Sequence, residues 1–437
     1  MALSTGKIAE VMFDSFIEIY EHQAVMLDLV DGEQPDRAKL QNAGNTIWYP
    51  VQQHRPILTG FDLTGQEQGI IEETVPISLQ EPNNDFIEQR IDDMRDIRFW
   101  ERAGQQAALQ QMTKLNSDLA NLVVNTGALF FKQDLTTQGN SGFDFASNGQ
   151  ALIDEREVYD MMGRCMLLNP RDLRTFSGDL AGRETLGSKA DRSEKAYAEG
   201  NVGEYVAAFD IYKGSFLPTI AGSDITATTV NGNVSLKPEA GSFNNTTNVV
   251  INIDYRLGSI NVASSAAYTV GDWVTFSNGG TAVESIGLAS KAESGQAASF
   301  KVVGIPDSTT LEVFPKPIAA DDPALTELEK AYANINTQIL NGATVEKLNT
   351  AEVDGAKANI FWAKDSIKMI GGDVPWDLMS EYDGNKVLSK ELAPGITAYM
   401  VYDGNIASAT FRYRIFVWYG LSNFNPMANG TGVTFSS

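Results

Sequence analysis

Residues 85–131 read DFIEQRIDDMRDIRFWERAGQQAALQQMTKLNSDLANLVVNTGALFF, and no proline interrupts the chain between Pro82 and Pro170. Asp85 and Glu88 have the spacing of a capping box, in which side chains satisfy free N–H groups of the first helical turn. Beyond them, apolar residues recur at spacings of three and four, which places them on one face of an α-helix. They are Ala108, Met112, Leu115, Leu119 and Leu122. The stretch predicts one long helix from Asp85 to Phe131.

Roughly thirty helical residues span about 45 Å, which is longer than the average globular helix. A coiled coil fits poorly because the apolar repeat lasts only about two heptads and Gly104 interrupts its early part. The sequence that follows is rich in predicted strands. A spine helix lying across a sheet, in an α+β protein, therefore fits better than an ordinary bundle helix.

Composition limits the classes of function. The chain has 437 residues, enough for two or three cores, and 43% hydrophobic with 20% charged residues is ordinary for a folded protein. Its net charge of −23 argues against binding to a phosphate backbone, which needs stripes of Lys and Arg. Neither a signal sequence nor an apolar run of about eighteen residues occurs, which predicts folding in the cytoplasm and no membrane partner.

Cys165 is the single cysteine of the chain, so an intrachain disulfide and a thiolate zinc site are excluded. It lies in the apolar segment 165–168, which predicts a buried strand with an inert, packed thiol.

The N-terminal residues 4–30 predict an amphipathic helical arm. One stripe of this arm is acidic, and its members are Glu10, Asp14, Glu18 and Glu21. The apolar stripe needs a partner, which could be the protein's own body or a neighbouring subunit.

Two extended segments, 46–51 and 70–79, flank a turn-rich tip and predict a long hairpin. Phe61, Asp62 and Leu63 lie at this tip. Such a hairpin would be unstable if it projected into water alone, so it either folds back or lies on another subunit.

Residues 222–319 are rich in Gly, Ser, Thr and Val and contain short alternating strands, which predicts a separate small β-barrel or sandwich. A helix is predicted for 325–340 and a strand for 359–370. The chain then closes with a hairpin whose turn is predicted at Asp403-Gly404.

Catalytic motifs are not recognisable in the sequence. The two histidines, His22 and His54, have no Ser or Cys nucleophile nearby in a triad arrangement, so we expect surface histidines. Neither a P-loop nor a G-x-G-x-x-G turn occurs, and the acid pairs at 92–93 and 321–322 are typical of solvated surface. The sequence thus predicts a protein that is not an enzyme, with no catalytic, cofactor-binding or metal-binding residues.

A dense run of mixed charge occupies residues 92–102. It is either a solvated helix face or a salt-bridged contact between identical subunits around a symmetry axis. Its candidate interface residues are Asp92, Asp93, Arg95, Asp96, Arg98 and Arg102.

Short segments along almost the whole chain, taken in order, resemble the major capsid (coat) proteins of tailed bacteriophages. They look most like the branch of short-tailed Salmonella phages, whose coat carries an insertion domain. The segments are Asn45-Thr46-Ile47-Trp48, Glu81-Pro82-Asn83-Asn84-Asp85-Phe86, Asp92-Asp93-Met94-Arg95-Asp96, Ala331-Tyr332-Ala333-Asn334-Ile335-Asn336-Thr337, Asn359-Ile360-Phe361-Trp362-Ala363 and Val417-Trp418-Tyr419-Gly420.

This resemblance implies the capsid fold of the Hong Kong 97 type, with a spine helix, an extended E-loop, axial and peripheral domains and an inserted small β-barrel. It also implies six segments. They are an N-terminal arm (1–44), an E-loop (45–80), a peripheral domain with the spine helix (81–134), the first part of an axial domain (135–221), an insertion domain (222–344) and a return to the axial and peripheral domains (345–437).

The implied function is self-assembly as pentamers and hexamers into an icosahedral head that encloses double-stranded DNA, through a scaffolded procapsid that expands on maturation. The implied partners are further copies of the chain, a scaffolding protein, a portal at one vertex, and DNA held without sequence-specific binding. Assembly is expected in the host cytoplasm and the product in the virion.

One departure from the family lies in the insertion domain, where the loop that contains Asn244 and Asn245 is uncharged. If relatives bridge capsomers there with charged pairs, this chain is left with hydrogen bonds from Asn and Thr, or with no contact. The rival hypothesis from another class is a carbohydrate-binding or tail-adhesin protein, suggested by residues 222–319, and an enzyme ranks third.

Overall fold

A computed structural model describes residues 5–23, 26–35, 46–51, 54–64, 69–90, 97–134, 142–157, 163–182, 206–239, 243–244, 249–250, 254, 256–374, 386–393, 395–405 and 410–435. The chain divides into two compact units. The first unit draws on Met1–Ile47, Ile77–Leu119 and Ile367–Ser422, and the second on Trp48–Pro76, Ala120–Ser366 and Asn423–Ser437. Each unit is therefore assembled from three separate stretches of sequence.

The elements of both units follow in chain order. The α-helices are α1 (Thr5–Gln23), α2 (Ile97–Thr126), α3 (Gly142–Glu155), α4 (Pro170–Gly182) and α5 (Glu327–Lys330). The first strands are β1 (Asp31–Glu33), β2 (Thr46–Pro50), β3 (Thr74–Ser78), β4 (Asn83–Arg90), β5 (Leu129–Asp134), β6 (Arg164–Leu168) and β7 (Phe209–Lys213). The β-rich region holds β8 (Thr228–Thr229), β9 (Phe243–Asn244), β10 (Val249–Val250), β11 (Gly258–Asn261), β12 (Trp273–Asn278), β13 (Thr281–Ala282), β14 (Glu284–Ile286), β15 (Glu293–Ala297), β16 (Phe300–Asp307), β17 (Thr310–Phe314) and β18 (Thr344–Lys347). The last strands are β19 (Asn359–Ala363), β20 (Ile367–Gly371), β21 (Lys386–Ala393), β22 (Ile396–Asn405), β23 (Thr410–Val417), β24 (Tyr419–Asn423) and β25 (Asn429–Phe435).

The long helix α2 starts later than the sequence predicts. Asp85 and Glu88 lie in strand β4, and the Glu88 carboxylate accepts a hydrogen bond from Thr410 at 2.8 Å instead of capping a helix. The predicted helix start at Asp85 is wrong because β4 pairs antiparallel with β23 over its whole length. A partner more than 300 residues away overrides the local spacing.

Helix α2 also ends earlier than predicted. A side chain at Gly127 would place its Cβ 2.6 Å from the carbonyl oxygen of Val123, so glycine lets the chain turn away at this point. Phe131, the predicted helix end, lies in strand β5. The predicted inner face is confirmed, since Ala108, Met112, Leu115 and Leu119 are buried and Leu122 is partly buried.

The first unit contains two sheets. One is an antiparallel sheet in the order β21-β22-β23-β4, and the other is a three-stranded sheet in the order β1-β20-β24. In the second sheet, Lys368 on β20 lies 3.6 Å from Asp31 and 3.0 Å from Glu33, which both belong to the parallel neighbour β1.

Helix α1 packs on the body of its own unit. The predicted helix at 4–30 is confirmed for Thr5–Gln23. Its apolar face is buried, and the side chains concerned are Ile8, Met12, Phe13, Phe16, Ile17 and Tyr20. At Gly104 of α2, an added Cβ would lie 2.2 Å from the carbonyl oxygen of Met12. Gly104 is buried, and its missing side chain allows α2 to pack closely against the backbone of α1.

The second unit is built around a five-stranded sheet in the order β5-β25-β19-β6-β7. Strand β25 pairs in parallel with β5 and antiparallel with β19. Side chains from this sheet and from α3 and α4 form one core, which includes Phe145, Ile153, Met166, Phe209 and Phe361. The predicted strand at 165–168 and the burial of Cys165 are both confirmed.

The β-rich region of the second unit forms a sheet that closes on itself. Its strand order is β11-β17-β16-β12-β18-β8. The two end strands then meet, because Asn231 donates to Asn261 O and Ala263 donates to Thr229 O, each at 2.8 Å. The interior is apolar and includes Val274, Phe276, Phe300, Val302, Leu311 and Val345.

The predicted helix at 325–340 is wrong beyond its first turn, since only Glu327–Lys330 is helical. Asparagine side chains bond the rest to other parts of the β-rich region. The Asn334 Oδ1 accepts from Ile318 N at 2.9 Å, and the Asn336 Oδ1 accepts from Glu284 N of β14 at 3.0 Å. These side-chain bonds to the backbone offer an alternative to helical hydrogen bonding, and the segment is not helical.

Two further predictions differ from the structure near the C-terminus. The predicted strand at 359–370 is two strands, separated by a 3-10 turn at Lys364–Ser366. The predicted hairpin turn at Asp403-Gly404 is wrong, because both residues belong to β22 and pair with Arg412 and Phe411 of β23. The connection itself, residues 406–409, lies outside the described residues.

The close approach at Gly104 makes a prediction about stability. We expect Gly104→Ala to lower the free energy of unfolding of the dissociated subunit by about 1–3 kcal/mol, because the new methyl group meets the Met12 carbonyl. The matched control is Gly178→Ala in α4, where a Cβ has open space and alanine should stabilise the helix by about 0.5–1 kcal/mol. Urea denaturation of both variants measures the difference; equal effects would contradict a steric role for Gly104.

Candidate assembly surface

The long loop between β2 and β3 presents large apolar side chains to solvent. The predicted hairpin is confirmed at its base, where β2 and β3 pair. The exposed apolar side chains of the loop are Ile57, Leu58, Phe61, Leu63 and Ile70. Of these five, Phe61 and Leu63 were predicted from the sequence, whereas Ile57, Leu58 and Ile70 were not. Such a set of exposed apolar groups is typical of a contact surface.

Asp62, the third predicted tip residue, has a local role. Its carboxylate accepts hydrogen bonds from the hydroxyl and the backbone N–H of Thr64, at 2.6 and 3.0 Å. These bonds hold the pKa of Asp62 below its usual value. The side chain thus shapes the turn that carries Phe61 and Leu63.

The acidic stripe of helix α1 lies on its solvent side. Glu10, Asp14 and Glu18 are all exposed, while the opposite face of the helix is buried. The side chain of Glu21 lies outside the part that the structure describes. Because the apolar face is already occupied, α1 offers a fixed, charged ridge to other molecules rather than an apolar one.

The charged run at 92–102 is described only in part. Arg98 and Arg102 lie on the first turns of α2 and are exposed. Asp92, Asp93, Arg95 and Asp96 fall outside the described residues.

The uncharged loop of the β-rich region is also described only in part. Asn244 lies at the end of β9 and pairs with Val249 of β10. Its side chain, and the whole of Asn245, lie outside the described residues.

Two exposed aromatic side chains in the first unit escaped the sequence reasoning. Phe86 on β4 is 58% exposed, and Phe99 at the start of α2 is 42% exposed. Residues along β4 alternate between partly buried and exposed, and Phe86 shares the exposed face with Asn84 and Glu88. Polar and apolar residues do not alternate along β4, since Phe86 and Ile87 are adjacent, so the sequence itself carries no strand signal at this position.

Of the two reactive side chains described here, Cys165 is buried and His54 is half-buried. Burial raises the pKa of the Cys165 thiol to about 12. His54 packs edge-on against the ring of Tyr332 at 5.3 Å between centroids, and burial followed by the charge of Lys291 lowers its pKa. His54 is therefore half-buried rather than fully exposed, while the side chain of His22 is not described. Within the described ranges, no group of three or more His, Cys, Asp or Glu side chains is arranged to hold a metal ion.

Among the helices of the described residues, none has the length and apolar character needed to cross a bilayer.

Comparison with protein families gives one match along almost the entire sequence. The family model described as "P22 coat protein - gene protein 5" matches residues 1–435.

Solved structures with similar folds come from phage and virus-like shells. The capsid structure of the Cyanophage P-SCSP1u is 11% identical, with a TM-score of 0.45 over 94% of this chain and 87% of that one. The bacteriophage PhiM1 mature capsid is 8% identical, with a TM-score of 0.42 over 89% and 82%. The virus-like particle from Pyrococcus furiosus is 8% identical, with a TM-score of 0.38 over 97% and 98%.

The exposure of the loop tip makes a prediction about the isolated subunit. Phe61→Ala should change the free energy of unfolding by less than about 0.5 kcal/mol, because Phe61 is fully exposed. The matched change Phe16→Ala, at a side chain with 0% exposure in α1, should cost about 3–5 kcal/mol. Urea titration of the dissociated subunit checks both; a large loss for Phe61→Ala would mean that the tip packs on its own subunit.

Proposed function

Because the chain belongs to the P22 coat protein family, we propose that it assembles as pentamers and hexamers into an icosahedral head around double-stranded DNA. As a coat protein, it is a structural component of the virion and not an enzyme. The family match also covers the β-rich region, which removes the support for a carbohydrate-binding or tail-adhesin protein.

The apolar loop tip carries the proposal of a contact between subunits. A loop with five large exposed apolar side chains is costly in water, and a repeating lattice supplies a neighbouring copy at the same place on every subunit. Burying even two such side chains contributes about 3–6 kcal/mol per contact before the costs of association. Each contact is modest, and a closed shell multiplies it.

The six proposed segments keep their boundaries, with the spine helix now placed at Ile97–Thr126. The arm is 1–44, the E-loop 45–80, the peripheral domain 81–134, the axial domain 135–221, the insertion domain 222–344 and the return 345–437. In this proposal the closed β-sheet at 228–347 is the inserted barrel. Arg98, Arg102 and the acids at 92–96 meet their copies around a symmetry axis, and Asn244 and Asn245 contact a neighbouring capsomer by uncharged hydrogen bonds.

The exposed acids of α1 are proposed to bind a scaffolding protein. Glu10, Asp14 and Glu18 form a fixed ridge of negative charge, which is complementary to a basic partner, and Glu21 continues it in sequence. A ridge of exposed charges favours fast, salt-sensitive and reversible binding. Such binding suits a partner that leaves before the head is filled.

The remaining parts of the proposal follow from the family and the overall charge. A net charge of −23 repels phosphate, so DNA can be enclosed without sequence-specific binding. A portal occupies one vertex, assembly takes place in the host cytoplasm, and the scaffolded procapsid expands through a two-state rearrangement of subunits.

The loop contact is tested by assembly. We expect Ile57→Ala and Phe61→Ala together to lower the yield of closed shells at least tenfold, because the apolar contact with the neighbour is lost. The control is Val270→Ala, which removes a comparably exposed apolar side chain from the turn before β12. Sedimentation and negative-stain electron microscopy, with and without a scaffolding protein, measure the yield. Normal shells from the double variant would remove the loop from the proposed interface.

The arm contact is tested by charge reversal. Replacing Glu10, Asp14 and Glu18 with lysine should leave the subunit folded, since all three are exposed, and should reduce the scaffolding protein found in particles. A control with the same change in net charge replaces Glu81, Glu346 and Asp365, which are exposed in other parts of the chain. Unchanged particle yield and scaffold content in the arm variant would exclude the arm as the docking site.

A further inference from the structure

The second unit contains a cavity of about 210 Å³ at the base of the long loop. Much of its wall is apolar. The apolar lining comes from Val51, Leu288, Pro315, Ile318, Pro426 and Met427. A ligand that enters this space can therefore bury a short carbon chain.

The charged groups around the cavity are mostly paired with one another. Arg256 forms a bidentate pair with Asp254, with nitrogen–oxygen distances of 2.9 and 2.7 Å. Lys316 lies 3.4 Å from the carboxylate of Glu239. Glu157 accepts two backbone N–H hydrogen bonds, from Ala289 at 3.1 Å and from Ser290 at 2.6 Å, so its carboxylate already has donors within the protein.

His54 adds no positive charge near neutral pH. Its imidazole packs against Tyr332, and burial with the nearby Lys291 lowers its pKa from the ordinary value of 6.5. The Tyr332 hydroxyl is also occupied, because it donates to the carbonyl oxygen of Ile71.

Glu73 differs from the other charged groups of the lining. Its backbone carbonyl accepts from Val51 N at 2.8 Å, but its carboxylate has no hydrogen bond or ion pair with any residue that the structure describes. Burial raises the pKa of Glu73 to about 7, and the charges of Lys316 and Arg256 only partly oppose this. The charge of Glu157 is offset by Lys291, whose ammonium donates to the carbonyl oxygens of Ala331 and Ala333 at 2.7 and 3.0 Å. Glu73 is thus the carboxylate of the lining that has no direct partner among the described residues, and it lies beside an apolar wall.

We propose that this cavity binds a primary alkylammonium group, with the Glu73 carboxylate as its counterion and the apolar wall in contact with its carbon chain. An anion would be repelled by the ionised carboxylate of Glu73. A bare divalent cation needs several oxygen ligands, and the described residues gather no such set. The same chemistry has two sources, a free alkylamine and the lysine side chain of a neighbouring copy.

The test uses the full-length dissociated subunit at pH 8, where Glu73 is ionised and the amine is charged. n-Butylammonium chloride should raise the midpoint of thermal unfolding in a saturable way, whereas 1-butanol and an equal concentration of NaCl should not. Glu73→Gln should weaken the apparent affinity for butylammonium at least tenfold. The matched control is Glu72→Gln, which changes the adjacent exposed acid. This variant should leave the apparent affinity for butylammonium unchanged.

A pH series on the unmodified protein tests the proposal without any variant. The pKa of Glu73 in the empty site is about 7, so lowering the pH from 8 to 5.5 neutralises the counterion and should abolish most of the stabilisation. Lys291 gains positive charge over the same interval, because burial lowers its pKa to about 8, and any protonation of His54 adds to it, so both act in the same direction. No response to butylammonium at pH 8, an equal response at pH 5.5, or full binding by Glu73→Gln would overturn the proposal.

Assembled shells distinguish the two sources. If the natural ligand is a free amine, butylammonium binds to shells as tightly as to subunits. If a lysine of a neighbouring copy fills the cavity, binding is seen with dissociated subunits and is lost in shells. Binding to neither form would exclude both sources.

Discussion

Backbone pairing with the C-terminal segment fixes both flanks of the long helix. Before α2, strand β4 pairs with β23 from Asn83 opposite Val417 onward. After α2, strand β5 pairs in parallel with β25 from Leu129 opposite Gly430 onward. Strands β4 and β5 both pair with strands that lie some 300 positions further along the chain, and neither could join its sheet without them. The four-stranded sheet of the first unit and the five-stranded sheet of the second both depend on this arrangement, as does the placement of the helix as a spine.

Sequence reasoning succeeded where the signal was local and failed where the partner was distant. Periodicity identified the buried faces of α1 and α2, and a short apolar run identified the strand that contains Cys165. Strand β4 was interpreted as helix because its acids have capping spacing and its partner β23 is remote. Residues 331–340 were predicted as helix, yet Asn334 bonds to Ile318, which follows β17, and Asn336 bonds to Glu284 of β14. Composition cannot report such bonds, because they exist only once the sheet has formed.

The functional surfaces also divide into those with a local sequence signal and those that depend on the folded structure. Phe61 and Leu63 were identifiable because apolar residues within a turn-rich segment are unusual in a folded chain. The acidic stripe of α1 followed from helical spacing alone, and resemblance to a known family supplied the fold. Phe86 and Glu73 were not identifiable, because their exposure and isolation depend on which strand face meets solvent and on where neighbouring charges find partners. A carboxylate without a partner becomes apparent only when every other charge around it has been assigned one.

The position of β25 has a consequence for protein synthesis. This strand, Asn429–Phe435, lies between β5 and β19 in the five-stranded sheet. On the ribosome, β5 and β19 both emerge before β25, so each has an open edge on the side that β25 covers until β25 has been made. A product released before that point by a stop codon or a stalled ribosome leaves β5 without its partner in this sheet and one edge of β19 open to chaperones and proteases. The topology thus acts as a quality check that favours translation products containing β25 in the virion.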